Sequence, residues 1–478
     1  MSLNEQKSLR LNSILNVIKQ LCVIMFPMIT FPYASRVLGA TNYGKVNFGL
    51  SIISYISLIA GLGVTNYAIR EGARIRQENS RVQKFINQIF TLNIFSTIFA
   101  YLILAVLLIF WHDLEIYRSL ILVQSIVVFF TTMGVDWINS IYEDYLYITI
   151  RYLICQIVAV VLLFLFVKGP EDYIIYAVVT VSSTILANIW NWFHISKYNI
   201  KLRILPFQET LPHWKPVLIM FGSAVASLIY INSDLTILGI MTTDERVGYY
   251  SVSVKIYTLV KQLINAALIV TIPRFSYELA KGKIKEFGEK VSFLQTGLIL
   301  VTIPAMTGIY VLSKEIVTLF AGKSFLPAAS SLQLLSISLI FAILANLYIN
   351  VIMIPLKKEK LILIATLISA IANIVLNFLL IPTFLEDGSA IATIVSEAIM
   401  VLFGWLTVRK ILPSQSFIKP LLISLLNIVC VFISYHFVVT KTSDNFLIIL
   451  STIFISVIGV SLITGVSYYK EIKSFVKN

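Results

Sequence analysis

Lys255 and Lys261 lie inside an apolar stretch, 247–273, that is long enough to cross a bilayer. At about 100° per residue, Ser251, Lys255, Thr258, Lys261, Gln262 and Asn265 share one arc of about 120°. Ile256, Leu259, Val260, Leu263, Ile264 and Ala267 fall opposite. A helical rise of about 1.5 Å per residue puts Lys255 about 12 Å, and Lys261 about 20 Å, below the outer end. Charge at that depth is expensive and marks a binding site or a pathway. Ammonium groups beside hydroxyls and amides suit an anion, most simply a phosphate or diphosphate.

Other polar positions fall on apolar stretches in the same way. Stretch 215–239 aligns Ser223, Ser227, Tyr230 and Asp234, and Asp234 is the natural counter-charge for a lysine such as Lys255. The first stretch aligns Asn12, Asn16, Lys19 and Gln20; Pro27 and Pro32 are expected to break it, and Arg36 follows at its outer end. Thr366, Ser369, Asn373 and Asn377 form one stripe, and Ser389, Thr393, Ser396 and Glu397 another. Hydroxyl and amide stripes alone read as helix packing. The sharper candidates for anion binding are Arg36, Lys255, Lys261 and Lys19. Asp234, Asp136 and Glu397 are the candidate counter-charges or coupling acids. Asn16, Gln262, Asn265, Asn373 and Asn377 are the candidate polar lining.

These residues must be positioned by membrane helices. The 478-residue chain is 58% hydrophobic, far above soluble usage. Apolar stretches run near 11–35, 44–66, 86–110, 119–139, 150–168, 173–194, 215–239, 247–273, 289–312, 328–354, 360–382, 388–408, 419–439 and 445–468, with the region 119–150 interrupted by Asp136, Glu143 and Asp144. With both termini cytoplasmic, most of the 37 Lys and Arg fall in cytoplasmic segments, among them Arg70, Arg74, Arg76, Arg81 and Lys84, while outer loops carry pairs such as Glu171/Asp172 and Asp244/Glu245. This positive-inside bias holds only for an even number of spans. The net charge of +13 therefore reads as topology and contact with anionic head groups, not as nucleic-acid binding.

Several classes are set aside. The first stretch is too long for a signal-peptide core and lacks a small-residue cleavage site. Cys22, Cys155 and Cys430 all lie in spans, and the four histidines have no ligand spacing, so neither a disulfide framework nor a metal site is expected. Ala321-Gly322-Lys323-Ser324 ends like a phosphate loop, but Val317 stands where its leading glycine belongs. No cofactor is expected.

The chain repeats weakly at an offset of 200 residues: Arg36-Val37-Leu38-Gly39 then Tyr43-Gly44, and Thr236-Ile237-Leu238-Gly239 then Gly248-Tyr249. The glycines are expected to close a turn in both copies. Such repeats build transporters from two lobes. The expected fold is all-α and polytopic, with about 14 transmembrane helices. Two six-helix lobes, 1–205 (spans 1–6) and 206–412 (spans 7–12), surround a central cavity, and an appended pair, 413–478, follows Leu412-Pro413-Ser414.

Three stretches carry a family resemblance: Phe31-Pro32-Tyr33-Ala34-Ser35-Arg36-Val37-Leu38-Gly39 with Tyr43-Gly44; Gly134-Val135-Asp136-Trp137, then Glu143 and Tyr147-Ile148-Thr149-Ile150-Arg151; and Asn373, Asn377 and Ile381-Pro382, then Gly388-Ser389-Ala390, Thr393 and Ser396-Glu397. The chain resembles the Wzx-type polysaccharide flippases of the multidrug/oligosaccharidyl-lipid/polysaccharide exporter superfamily, over its first twelve spans. It departs from them at Leu385-Glu386-Asp387, where such proteins carry a more apolar, glycine-bearing turn. The resemblance implies a non-enzymatic protein of the bacterial cytoplasmic membrane. Such a protein moves an undecaprenyl-diphosphate-linked oligosaccharide to the outer leaflet for capsule, exopolysaccharide, O-antigen or wall polymer synthesis. Membrane lipids, a polysaccharide polymerase and chain-length machinery are its implied partners. The alternatives are a MATE-like drug or metabolite antiporter, which predicts an acid-dominated cavity, and a membrane polysaccharide polymerase, which predicts a long outer loop with paired acids.

Overall fold

The structure is a computed structural model that describes residues 9–280, 284–409 and 418–469, without the side chains of 9–18, 20, 223, 267, 269–274, 276–278, 280 and 418. All regular structure among them is helical. α1 (Leu9–Gly61) carries the first two spans in one run, with a single non-helical residue, Gly39, at φ 71° and ψ 175°. Glycine takes that conformation freely where L-residues do not. A Cβ there would meet nothing within 4 Å, so the glycine is required by the backbone and not by space. Pro27 and Pro32, expected to break the first span, lie inside continuous helix. Membrane helices tolerate proline because neighbouring helices and side chains satisfy the freed backbone groups.

Leu62 (φ 43°) and Gly63 (φ 73°) turn the chain into α2 (Val64–Ile75). This amphipathic helix buries Val64, Tyr67, Ala68 and Gly72 and exposes Arg70 and Arg74. α3 (Asn79–Phe110), α4 (Arg118–Gly134), α5 (Trp137–Ile141), α6 (Tyr145–Phe166) and α7 (Tyr173–His194) follow. The interruption expected around Asp136 and Glu143 consists of two breaks, at the left-handed residues Val135 (φ 43°) and Glu143 (φ 55°). Side chains pair the released carbonyls: Asn191 Nδ2 donates to the Gly134 carbonyl, and Arg76 Nη1 donates to the Ile141 carbonyl at 3.1 Å.

The remaining helices are α8 (Leu211–Met241), α9 (Asp244–Ala280), α10 (Ile284–Val311), α11 (Ser313–Ala321), α12 (Ala328–Asn346), α13 (Glu359–Phe384), α14 (Glu386–Val408), α15 (Ile418–Val439) and α16 (Asn445–Ser467); α12 runs on into a π-helical segment, Leu347–Met353. Among the described residues twelve segments are long and apolar enough to cross a membrane. The first of them, Leu21–Ile75, contains the Gly39 break and so holds two crossings. α9, 37 residues long and carrying Lys255 and Lys261, stands outside the twelve. Twelve candidate spans plus further helices such as α9 agree with the expected all-α, polytopic fold, and counting α9 and both halves of the first segment gives the fourteen expected. The glycines of the repeat do not behave alike: Gly39 breaks its helix, whereas Gly239 and Gly248 remain within α8 and α9, and the second turn falls at 242–243. Leu412-Pro413-Ser414 lies outside the described residues.

The chain divides into two compact units, Met1–Thr236 and Ile237–Asn478, with the division inside α8. In the first, α1 packs on α3, α4 and α6, and α7 packs on α4 and α6. One apolar cluster, including Val64, Ile86, Ile89, Trp137 and Ile141, joins α2, α3 and α5. In the second, α12 packs on α9, α10 and α14, α13 lies along α14, and α15 joins α10 to α16. Exposed Phe99, Leu102 and Val106 on α3 and Leu421, Leu425 and Phe432 on α15 form the apolar outside that hydrocarbon requires.

Candidate functional site

α9 begins with Asp244 and Glu245, acids placed favourably at a helix N-terminus. Val252, Ile256 and Leu259 are buried, and Ser253 Oγ donates to the Ala328 carbonyl at 2.7 Å, which holds this part of α9 against the start of α12. On the polar face, Ser251 is buried and Lys255 half-buried. Lys255 forms no hydrogen bond or ion pair among the described residues.

Lys261 is different. Its Nζ donates to Glu397 Oε1 of α14 at 2.7 Å, and the Glu397 side chain is only 6% exposed. The same ammonium lies 5.5 Å from the centroid of the Tyr257 ring. Nearer the start of α9, Tyr250 Oη lies 3.3 Å from Thr393 Oγ1, a second polar link between α9 and α14. Gln262 is exposed and Asn265 half-buried; Asn265 Oδ1 accepts no hydrogen bond among the described residues.

Asn373 and Asn377 of α13 are buried, and Asn377 Nδ2 donates to the Asn373 carbonyl (2.9 Å) and to Asn373 Oδ1 (3.0 Å). The adjoining hairpin is tight: a Cβ on Gly388 would come within 2.7 Å of the Leu380 backbone. The acids that depart from the family pattern act as links here. Arg246 Nη1 donates to Glu386 Oε1 at 2.8 Å, and Ser330 and Ser331 donate to Asp387 Oδ1 at 3.0 and 2.6 Å. They tie the start of α14 to α9 and α12.

Lys19, Arg36, Asp136 and Asp234 belong to the first unit. Lys19 is half-buried, with Nζ 6.0 Å from the Tyr152 ring centroid. Arg36 is exposed, three residues before the Gly39 break. Asp234 is buried on α8. Two residues on, Thr236 Oγ1 lies 3.0 Å from Ser51 Oγ and 3.4 Å from Tyr55 Oη, holding that stretch of α8 on α1. The side chain of Asn16 lies outside the described residues.

Asp136 pairs with Arg151 Nη2 at 2.5 Å, and Asn139 Nδ2 donates to Asp136 Oδ1 at 3.0 Å. Arg151, 5% exposed, also lies over the Tyr147 ring. Around these residues is a hub that the sequence reading did not assemble. Tyr198 Oη donates to Asp144 Oδ2 at 3.0 Å, and His194 Nε2 and Lys197 Nζ lie 3.3 and 3.2 Å from the same oxygen. Its only local signal is a basic, aromatic run after span 6, His194 to Tyr198, which acquires meaning once Asp144 is brought beside it.

No group of three or more His, Cys, Asp or Glu among the described residues is placed to hold a metal ion. The α9 face thus carries Lys255 with no partner among the described residues, Lys261 paired to Glu397, and hydroxyl and amide groups.

Comparison with known proteins extends this picture. A protein named as an O-antigen transporter from Escherichia coli K12 is 24% identical over 293 residues, 58% of this chain and 67% of the relative. A protein of the same name from Shigella dysenteriae is 19% identical over 346 residues, 71% of this chain and 84% of the relative. Among solved structures, the fold resembles the lipid II flippase MurJ in an inward closed conformation, with TM-score 0.74 and 19% identity over 97% of this chain and 99% of that one. It also resembles an inward-facing MATE multidrug transporter of the MOP superfamily, with TM-score 0.64 and 14% identity over 84% of this chain and all of that one. Residues 9–277 match the family model described as polysaccharide biosynthesis protein. The chain is an integral membrane protein of the polysaccharide biosynthesis protein family.

Proposed function

We propose that this protein is a flippase for an undecaprenyl-diphosphate-linked oligosaccharide. It moves the repeat unit from the cytoplasmic to the outer leaflet of the bacterial cytoplasmic membrane, for assembly into capsule, exopolysaccharide, O-antigen or a wall polymer. It makes and breaks no covalent bond. The observation that carries this reading is Lys255, a half-buried cation without a partner among the described residues, on the polar face of a membrane helix. A cation held at that depth without an acid is stabilised when an anion arrives. Family membership and relatives named for O-antigen transport support the same reading.

A sugar diphosphate cannot cross hydrocarbon unaided, because its charges and hydroxyls lose their hydration. In this account Arg36, Lys255 and Lys261 take the diphosphate, with Lys19 nearer the cytoplasmic entry. Lys261 exchanges Glu397 for a phosphate oxygen, one charge-assisted hydrogen bond for another. Asp234 compensates a lysine when the site is empty. Gln262, Asn265, Asn373, Asn377 and Asn16 supply amide groups to the polar path. Lobes 1–205 and 206–412 alternate in access, 413–478 is appended, and both termini are cytoplasmic. Asp136, Asp234 and Glu397 are the acids available for coupling to an ion or to the membrane potential. A polysaccharide polymerase and chain-length machinery act downstream. The likeness to MATE transporters is one of fold, and a lysine-bearing face suits an anion better than a cationic drug.

The test uses cells lacking this protein, with undecaprenyl-linked oligosaccharides and surface polymer measured in the same cultures. Loss of polymer with intact repeat units on the cytoplasmic leaflet is the expected result. Repeat units that reach the outer leaflet but stay unpolymerised would point to an enzyme, and no change in either would favour the antiporter.

A further inference from the structure

Arg81, Lys84 and Gln88 lie three and four residues apart at the start of α3, on one face of the helix. The same face continues through Phe95, Ile98 and Phe99, and Ile98 and Phe99 are exposed. One stripe of α3 thus passes from cationic to apolar. From Lys84 to Ile98 is about 21 Å, and one head-group layer plus one hydrocarbon leaflet is also about 21 Å.

At the cationic foot of the stripe the first unit has a cleft of about 260 Å³. Its rim carries Arg81 and Lys84, and Ile75 and Phe85 form an apolar wall. The polar floor is built from three helices. His213 of α8 has Nδ1 2.9 Å from Tyr67 Oη of α2 and Nε2 3.0 Å from Gln88 Oε1 of α3. With a neutral ring, Tyr67 donates to Nδ1 and the Nε2–H donates to Gln88. Gln88 Nε2 in turn donates to the Glu209 carbonyl at 3.0 Å.

The rim cations are weakly engaged. Arg81 lies 3.4 Å from Glu78, Lys84 lies 3.6 Å from Glu209, and both cations are 66% exposed. Exposed pairs at such distances contribute little. The one acid lining the cleft, Glu71, is already held by Arg70 and Arg74 at 2.9 and 3.1 Å, so the free charge at the rim is positive. Beside the apolar stripe, Phe207 packs edge-on against Phe95 with ring centroids 5.3 Å apart, and Leu211 is exposed. Basic clefts next to acyl-facing helix surfaces are where anionic head groups bind.

We propose that this cleft holds the phosphate-bearing head group of an anionic phospholipid, with Arg81 and Lys84 on the phosphate and an acyl chain along Phe95, Ile98 and Phe99. The His213 bridge links the cleft to α8, so an occupied site steadies the α2–α3–α8 junction. The inference rests on the proposed topology only for its leaflet, which that topology makes cytoplasmic.

The test is binding to protein purified in neutral detergent, read by native mass spectrometry and by thermal melting. Phosphatidylglycerol, phosphatidylcholine and inorganic phosphate are titrated separately. Phosphatidylglycerol is expected to bind and to raise the melting temperature, and the other two are not. The double variant Arg81→Gln/Lys84→Gln, at two exposed positions, should weaken phosphatidylglycerol binding about 25-fold, from about five-fold per cation. The charge-matched control Lys358→Gln/Lys360→Gln in the second unit should leave it unchanged. Equal binding of phosphatidylcholine, unaltered binding by the double variant, or an equal loss in the control would overturn the site. Inorganic phosphate alone reproducing the stabilisation would overturn the lipid as its occupant. None of these readings involves transport, so they stand or fall apart from the proposed function.

Discussion

Lys261 Nζ sits 2.7 Å from Glu397 Oε1 and joins α9 to α14, whereas Lys255, on the same helix face, pairs with nothing among the described residues. Two lysines that look equivalent in the sequence therefore have different roles. One is compensated inside the second unit; the other carries the proposed anion binding.

Breaking the compensated pair should destabilise the protein. Lys261→Met leaves Glu397 buried and charged, and Glu397→Met leaves a lysine with only the Tyr257 ring. Each single variant should lose about 2–3 kcal/mol, at the low end for a buried pair because Lys261 is 27% exposed. The double variant Lys261→Met/Glu397→Met should recover most of the loss. Thermal melting of the purified proteins checks this, and an additive double variant would show that the pair is not coupled.

Lys255 should behave in the opposite way. Lys255→Met removes a half-buried cation with no partner among the described residues, so the melting temperature should hold or rise. Polymer export in cells should fall at least about ten-fold, equivalent to about 1.4 kcal/mol of lost anion binding. Stability and activity measured on the same variant separate a binding residue from a packing residue.

Gly388→Ala should be poorly tolerated, because its Cβ would lie 2.7–2.9 Å from Leu380 and Ile381 backbone atoms that cannot rotate away. A loss of about 1–3 kcal/mol is expected from overpacking. Gly39→Ala meets no atom within 4 Å but must hold a positive φ, so its cost should come from backbone strain, about 1–3 kcal/mol. Expression level and melting temperature of both variants test these two origins of a glycine requirement.

Arg151→Lys should not replace arginine. The guanidinium reaches Asp136 and lies 5.1 Å from the Tyr147 ring centroid, a combination that suits a planar fork and not an ammonium. A loss of about 1–2 kcal/mol in thermal stability is expected. Asp136→Asn should cost at least as much, since it leaves Arg151, only 5% exposed, charged without its acid.

The crossings were legible in the sequence because hydropathy is a local property. The interruption at Asp136 and Glu143 was legible for the same reason, though the short helix α5 between its two breaks was not. Pro27 and Pro32 misled, because a proline signal read locally cannot show how neighbouring groups accommodate it. The polar face of α9 followed from helical periodicity. Its partner Glu397 did not, since Lys261 and Glu397 are 136 residues apart and many acids compete for such a role. Glu386 stood out as a departure from the family pattern, but its meaning needed Arg246, 140 residues away.

The most direct test of the central claim is translocation in vesicles reconstituted with the purified protein. Undecaprenyl-diphosphate-linked oligosaccharide is placed in one leaflet and its appearance in the other is timed, for wild type and Lys255→Ala. The account predicts transfer by wild type well above protein-free vesicles, and transfer at the protein-free rate by Lys255→Ala. Wild type no faster than empty vesicles would contradict the flippase itself, and Lys255→Ala as fast as wild type would contradict the role of the unpaired lysine.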